Sequence, residues 1–455
     1  MVCRIPSKVG SLVCLLVTML TTTSSYGQEL VAHGLSTSRQ ASSAGTGAPL
    51  TLTLQDALQR AKANSPQLQA ALTDLGLAKE DRVQSRAALL PSVNYNMGYL
   101  YTQGNGRRSN EPIFIANNAV HEYVAQGNVR QDFSPRIFAE YRRTGAAQAL
   151  AQAKAEIAAR GLVVTVVQAY YAYVVAQRKY ATTQQAVTEA QRFLEISRKL
   201  QTGGEVARSD VIKAQIQYQQ RLRDLEEARL EMNRSHLELA VLLFPDFNQN
   251  FSVVDDLRLP PPVPSFEEVR AAATQNNPEL RAALAAVQEA GGEVAIAWTE
   301  LLPAVTANYF YGIDATRFAT RVDGFSTLGN SGAVALQLPI WAWGANRSKI
   351  KQANLRRQLA RVELSFTQRQ LVANLHAFYQ DLQAARSELD LLSQSADGAA
   401  ESLRLTTLRY QAGEVSVLEV VDAQNTLTAA RNAYDDGQVR YRVAQANLQT
   451  LTGTL

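Results

Sequence analysis

The residue types that could carry chemistry are few in this chain, and none falls into a catalytic spacing. The four histidines, His33, His121, His236 and His376, are scattered, and no HExxH, GxSxG, phosphate-loop or dinucleotide pattern occurs. Both cysteines, Cys3 and Cys14, lie at the extreme N-terminus, and beyond it methionine occurs only at Met97 and Met232. That is too little thioether for a relay of soft metal ions. The pairs Arg107-Arg108, Arg142-Arg143 and Arg356-Arg357 read as solvated. Glu419 and Asp422 stand three apart and so share one helix face, but spacing alone makes them an ordinary solvated pair. Neither catalysis nor a cofactor nor a bound metal is expected.

The frame around those two carboxylates is far more organised. They follow Gly413-Glu414-Val415-Ser416, and that segment has an earlier counterpart in Gly204-Glu205-Val206-Ala207, followed by Arg208-Ser209-Asp210-Val211. Each copy reads as a tip between two helices: the glycine ends one in the left-handed conformation, and the small residue three positions later opens the next. Asn64-Ser65-Pro66 likewise returns as Asn276-Asn277-Pro278, and Leu89-Leu90-Pro91 as Leu301-Leu302-Pro303. The offset is about 210 residues each time, far beyond the roughly 20 to 50 of a solenoid, so a whole structural unit has been duplicated.

Length alone would allow about three domains in 455 residues; the duplication points to one body of two similar halves. Residues 1–27 read as a secretory signal, with Arg4 and Lys8 before an apolar core and Ser25-Tyr26-Gly27 as the cleavage site. The exported chain would then hold no cysteine, and Val13 before Cys14 does not fit a lipidation site. Residues 28–50 form a polar leader, 51–259 the first repeat, 260–264 a stiff proline-rich linker and 265–455 the second repeat. The formal charge of +4 falls by two with the signal, and near-neutrality gives no reason to expect nucleic acid. No run beyond the signal approaches the roughly 18 apolar residues of a membrane helix, so any membrane passage is expected through strands.

Such strands are visible. Val93, Tyr95, Met97, Tyr99 and Tyr101 alternate with Asn94, Asn96 and Gly98, and Tyr123, Ala125, Gly127 and Val129 with Gln126, Asn128, Arg130 and Asp132. In the second half Val305, Ala307, Tyr309, Tyr311 and Ile313 alternate with Thr306, Asn308, Gly312 and Asp314, and Val334, Leu336 and Leu338 form the return strand. Length and alternation match transmembrane β-strands, and also a soluble sheet with one wet face. Between the hairpins and the tips, 135–201 and 341–412 contain no internal proline and predict helices of about 100 Å. Heptads run along their partners: Val420, Leu427, Tyr434, Tyr441 and Leu448 with small residues between, and Val211, Tyr218, Leu225, Met232 and Leu239 likewise. Large and small positions at this period specify antiparallel coiled coils, and Arg221 interrupts the small series of the first.

Leu52-Thr53-Leu54 with Asp56-Ala57-Leu58, the two Asn-x-Pro starts, the two Leu-Leu-Pro entries and the two glycine tips, in this order over about residues 51–453, resemble the TolC-like outer-membrane efflux channels of Gram-negative bacteria. The resemblance implies a mostly α chain with a membrane β-barrel portion. Three copies would share a 12-stranded barrel, four strands each, continued by a long periplasmic α-helical coiled-coil barrel. It also implies a passive exit duct in the Gram-negative outer membrane, extending into the periplasm, with partners in outer-membrane lipid, a periplasmic adaptor protein and an inner-membrane pump. The loops around Arg107 and Phe318 would face outside. The tips at Gly204, Glu205, Val206 and at Gly413, Glu414, Val415 would dock the adaptor. Glu419 and Asp422 match the family's ring of carboxylates at the periplasmic constriction, and Tyr410, Ser209 and Asp210 match three residues of its closed-state latch. The fourth, an arginine, is Val415 here, with Arg208 nearby. A periplasmic or secreted coiled-coil scaffold with a small soluble sheet is the competing reading.

Overall fold

In the computed structural model the described residues are 50–101, 121–246, 248–257 and 263–453. The expected signal and most of the leader, the loop around Arg107 and Pro260–Pro262 of the linker lie outside them. The first repeat runs β1 (Leu50–Leu52), α1 (Leu54–Asn64), α2 (Pro66–Ala87), β2 (Ser92–Tyr101), β3 (His121–Phe133), α3 (Pro135–Thr202) and α4 (Arg208–Leu243). β4 (Phe251–Val253) follows within the residues read as the first repeat, and the second runs α5 (Phe266–Asn276), α6 (Pro278–Thr299), β5 (Ala304–Ala315), β6 (Arg321–Val322), β7 (Phe325–Ser326), β8 (Leu328–Gln337), α7 (Ala345–Gln411) and α8 (Val417–Thr452). Corresponding helices agree almost residue for residue: 11 and 11, 22 and 22, 68 and 67, 36 and 36.

The repeated motifs are helix starts. Thr53 and Ser265 cap α1 and α5 in capping boxes with Asp56 and Glu268, which satisfies amide donors that a first helical turn leaves orphaned. In the two Asn-x-Pro segments the middle residue is the cap: Ser65 accepts from the Leu68 amide and Asn277 from the Leu280 amide, with proline at the first helical position. Where 341 was expected to open the second long helix, the helix begins at Ala345. Trp343 (φ 49°) and Gly344 (φ 82°) are left-handed there and break the run.

β2, β3, β5 and β8 form one antiparallel sheet in that order, so the two repeats meet at the β3–β5 ladder. The register puts Met97, Ala125, Ile313 and Leu328 in one row, and Val93, Val129, Tyr309 and Gly332 in another on the same face; Asn94, Asn128, Phe310 and Ser331 lie on the opposite face. One face is thus apolar and the other mostly polar. Every residue of the two outer strands, β2 and β8, is exposed. A small hairpin, β6–β7, fills the loop that follows Phe318.

One part of α3 is long and apolar enough by length and composition to cross a membrane, which the run lengths did not suggest. Val163, Val166, Val167, Tyr170, Tyr171 and Val174 of this stretch are buried in the largest core cluster, among Leu239 and Leu243 of α4 and Phe251 of β4. Packing inside the protein uses part of this apolar surface, with 39% of the apolar stretch buried. The Tyr170 hydroxyl there donates to the Val254 carbonyl (2.7 Å).

The connector after β4 is clasped just beside this core. Arg178 of α3 binds both carboxylate oxygens of Asp255 at 2.6 Å and reaches Asp435 (2.9 Å) and Gln438 on α8; Lys179 pairs with Asp436 (2.7 Å). Burial raises the carboxyl pKa of Asp435 and outweighs the lowering by Arg178. On Arg178 burial opposes the charge, yet its carboxylate partners win and its pKa rises. Both shifts are upward, but they favour the neutral acid at Asp435, which has one cation to offset its burial, and the charged form of Arg178, which has two anions.

Candidate functional site at the paired helical tips

Both long helices end in the same backbone device. Gly204 and Gly413 are left-handed, with φ of 76° and 75°. The Glu205 amide bonds Leu200 O and the Gly204 amide Gln201 O; the Glu414 amide bonds Arg409 O and the Gly413 amide Tyr410 O. This is a Schellman closure at each tip. A Cβ at Gly413 would meet open space, so the conformation alone demands glycine. Gly413→Ala is therefore expected to destabilise by about 1 kcal/mol, whereas Gly398→Ala, in mid-α7 with equal room, should stabilise by a similar amount. Opposite shifts in thermal midpoint for the two variants check this.

The two tips pack on each other. Phe193 and Leu194 of α3, Val211 and Ala214 of α4, Tyr410 of α7, and Val417 and Val420 of α8 form one buried cluster, with Val206 and Val415 against it. Val415, where the resemblance would place an arginine, is thus part of the apolar seal. Glu205 and Glu414 are exposed, and Glu414 pairs with Arg409 (3.3 Å).

Glu419 and Asp422 are both exposed on the first turns of α8. Glu419 also caps its own helix, accepting from the Ser416 amide (3.2 Å) and hydroxyl (3.4 Å). The Ser-x-x-Glu spacing is the sequence signature of such a box, and it fixes the carboxylate at the head of the helix. In the first tip the residue at the capping position is Ala207, which has no side chain to cap with, and Asp210 pairs with Lys213 instead (3.4 Å).

Tyr410 is 3% exposed, packs its ring on Phe193 at 5.0 Å between centroids and shares a hydrogen bond of 3.2 Å with the Ser197 hydroxyl of α3. The structure therefore joins Tyr410 to α3, while Ser209 and Asp210 sit on α4. Arg221, whose place in the small series had no evident partner, is buried and bonds Asp224 (3.1 Å) and Asn425 of α8. Its place in the heptad was the one sequence signal for this contact; Ser197 offered none. Among the described residues no group of His, Cys, Asp and Glu could hold a metal ion.

Two repeats, each carrying a membrane-length strand pair on a long helical hairpin, with apolar and polar faces on the shared sheet, define an outer-membrane channel protomer. The chain belongs to the outer membrane efflux protein family, whose model matches residues 57–243 and 269–454. It is 26% identical over 408 residues to the outer membrane protein TolC of Vibrio cholerae, covering 88% of this chain and 91% of that protein. To the alkaline protease secretion protein AprF of Pseudomonas aeruginosa it is 23% identical over 422 residues, 89% and 85% of the two chains. The fold is similar to the outer-membrane channel CmeC of Campylobacter jejuni, with TM-score 0.76, 18% identity and coverage of 88% and 85%. The protein is an outer-membrane exit duct that extends into the periplasm, and its family works in transport.

Proposed function

We propose that three copies of this chain close one 12-stranded barrel and continue it as a periplasmic helical tunnel. The observation that carries this is the sheet itself: four strands, an apolar face, and outer edges on β2 and β8 with no partner strand among the described residues. In lipid an unpaired edge leaves amides and carbonyls unsatisfied at several kcal/mol each, and bacterial single-chain barrels begin at about eight strands. Exposed Leu355, Leu359, Val362 and Phe366 on α7 and Ile216, Leu230 and Leu237 on α4 are apolar faces that neighbouring copies would cover.

At the periplasmic end three copies of Glu419 and Asp422 ring the axis and favour cations there, as a ring of carboxylates does. The tips around Gly204 and Gly413 dock a periplasmic adaptor of an inner-membrane pump. Tyr410, Ser209 and Asp210 belong to the region that loosens when the two hairpins separate. The protein performs no chemistry and takes its driving energy from the pump. Light scattering on the detergent-extracted protein tests the assembly: three times the chain mass, obtained only with detergent, is expected. A monomer or dimer soluble without detergent would sink it.

A further inference from the structure

We propose that Asn425 is a positioning residue of the periplasmic gate, holding the α7–α8 hairpin against α3–α4 through Arg221 and Gln217. The inference rests on the channel reading above and adds the contact that sets its resting position. The Asn425 carbonyl oxygen accepts from two side chains of α4 at once, Gln217 Nε2 at 3.2 Å and the Arg221 guanidinium. Arg221 is only 7% exposed and is held in place by Asp224 three residues on, at 3.1 Å.

A guanidinium buried in a coiled-coil seam needs partners, because an unpaired charge there is strongly destabilising. Asp224 and Asn425 supply them. A site in the small series of the α4 heptad thus carries a cation whose reach spans the two hairpins. Asn425 lies three residues past Asp422 on the same helix, so its tether fixes the azimuth of α8 about one turn from the candidate constriction. The contact lies on the α4 side of α8, whereas Tyr410–Ser197 joins α7 to α3. Together the two bonds pin both helices of the second hairpin to both helices of the first. Asp210 pairs with Lys213 on its own helix.

A polar pin of this kind can be tuned in both directions, which a merely structural contact cannot. Asn425→Ala removes the acceptor and leaves Arg221 with Asp224 alone; Asn425→Asp offers Arg221 a charged acceptor, and charge-assisted bonds are about twice as strong as neutral ones. In planar bilayers the alanine variant is expected to shift the closed–open equilibrium about tenfold toward open, corresponding to about 1.4 kcal/mol. The aspartate variant should shift it toward closed. Arg221→Gln, which keeps a neutral donor, should fall between the parent and Asn425→Ala. Thermal midpoints and detergent-extracted mass are read on the same preparations, so that a lesion in folding is recognised. A conducting parent whose Asn425→Ala and Asn425→Asp variants match it, or move in the same direction, overturns the inference while leaving the channel standing. A parent that does not conduct at all overturns the channel reading instead.

Discussion

Gly312→Ala is expected to abolish the folded outer-membrane form of this protein, while Gly127→Ala leaves it intact. Both glycines lie in the β3–β5 ladder, Gly127 opposite Tyr311 and Gly312 opposite Gln126, so the two changes add the same methyl to the same seam. A Cβ on Gly312 would stand 2.1 Å from the Ala125 carbonyl oxygen and 2.6 Å from the Gln126 Cα; on Gly127 the nearest atom is the Tyr311 carbonyl oxygen at 3.7 Å. The atoms in the way at Gly312 are backbone, so no rotamer change relieves the clash. The ladder itself must part, at a cost above the roughly 1–3 kcal/mol of ordinary overpacking. This ladder is the one that joins the two repeats, and parting it divides the four-stranded sheet into two hairpins. Hairpins alone are marginal at best. Heat-modifiable migration of membrane extracts on gels measures the outcome: Gly312→Ala should give only the unfolded band. Native migration of that variant would show that the strands pair in another register.

Arg178→Met is expected to cost about 3–5 kcal/mol at neutral pH, the range for breaking one partner out of a buried ion pair. The variant leaves Asp435 buried without its cation and removes the fork from Arg178 to Asp255, while Tyr170 still holds the connector through Val254. Asp435 already has its pKa raised by burial against the pull of Arg178, and without Arg178 it rises further. The sign follows from that direction. An acid whose folded pKa lies above its unfolded value is favoured in its protonated form; its penalty is absent below the unfolded pKa and develops as pH rises through the folded one. The deficit of Arg178→Met relative to the parent should therefore shrink as pH is lowered from about 8 toward the ordinary carboxylate range. Adding Asp435→Asn should restore much of it at pH 8. Denaturant midpoints of the detergent-extracted protein across that range check both statements. A deficit that is flat with pH would mean that the lost contact is the Asp255 fork alone.

Much of the candidate site was legible in the sequence because it is local. The left-handed glycines, the cap at Thr53 and the alternation in the strands each depend on residues within one turn or one pleat, and duplication repeated these signals. The second copy is what separates a motif from coincidence: Gly413 alone is a glycine after a helix, but Gly413 with Gly204 is a pair of tips. The capping role of Glu419 could also have been read, since Ser416-x-x-Glu419 is written in the chain.

The rest depends on partners far away in sequence. Tyr410 bonds Ser197 of α3, Arg221 meets Asn425, Arg178 gathers Asp255 and Asp435, and Gly312 comes against Ala125. Heptad spacing says which face of a helix is buried but leaves open which of three neighbouring helices covers it, and a buried polar group can be satisfied by any donor that arrives. The sequence by itself therefore determined the two repeats, their helices, strands and tips, because backbone periodicity and capping are properties of short stretches. Only the tertiary structure decided how the hairpins are pinned together, because that is set by the rotation of packed helices, to which a one-dimensional pattern is blind.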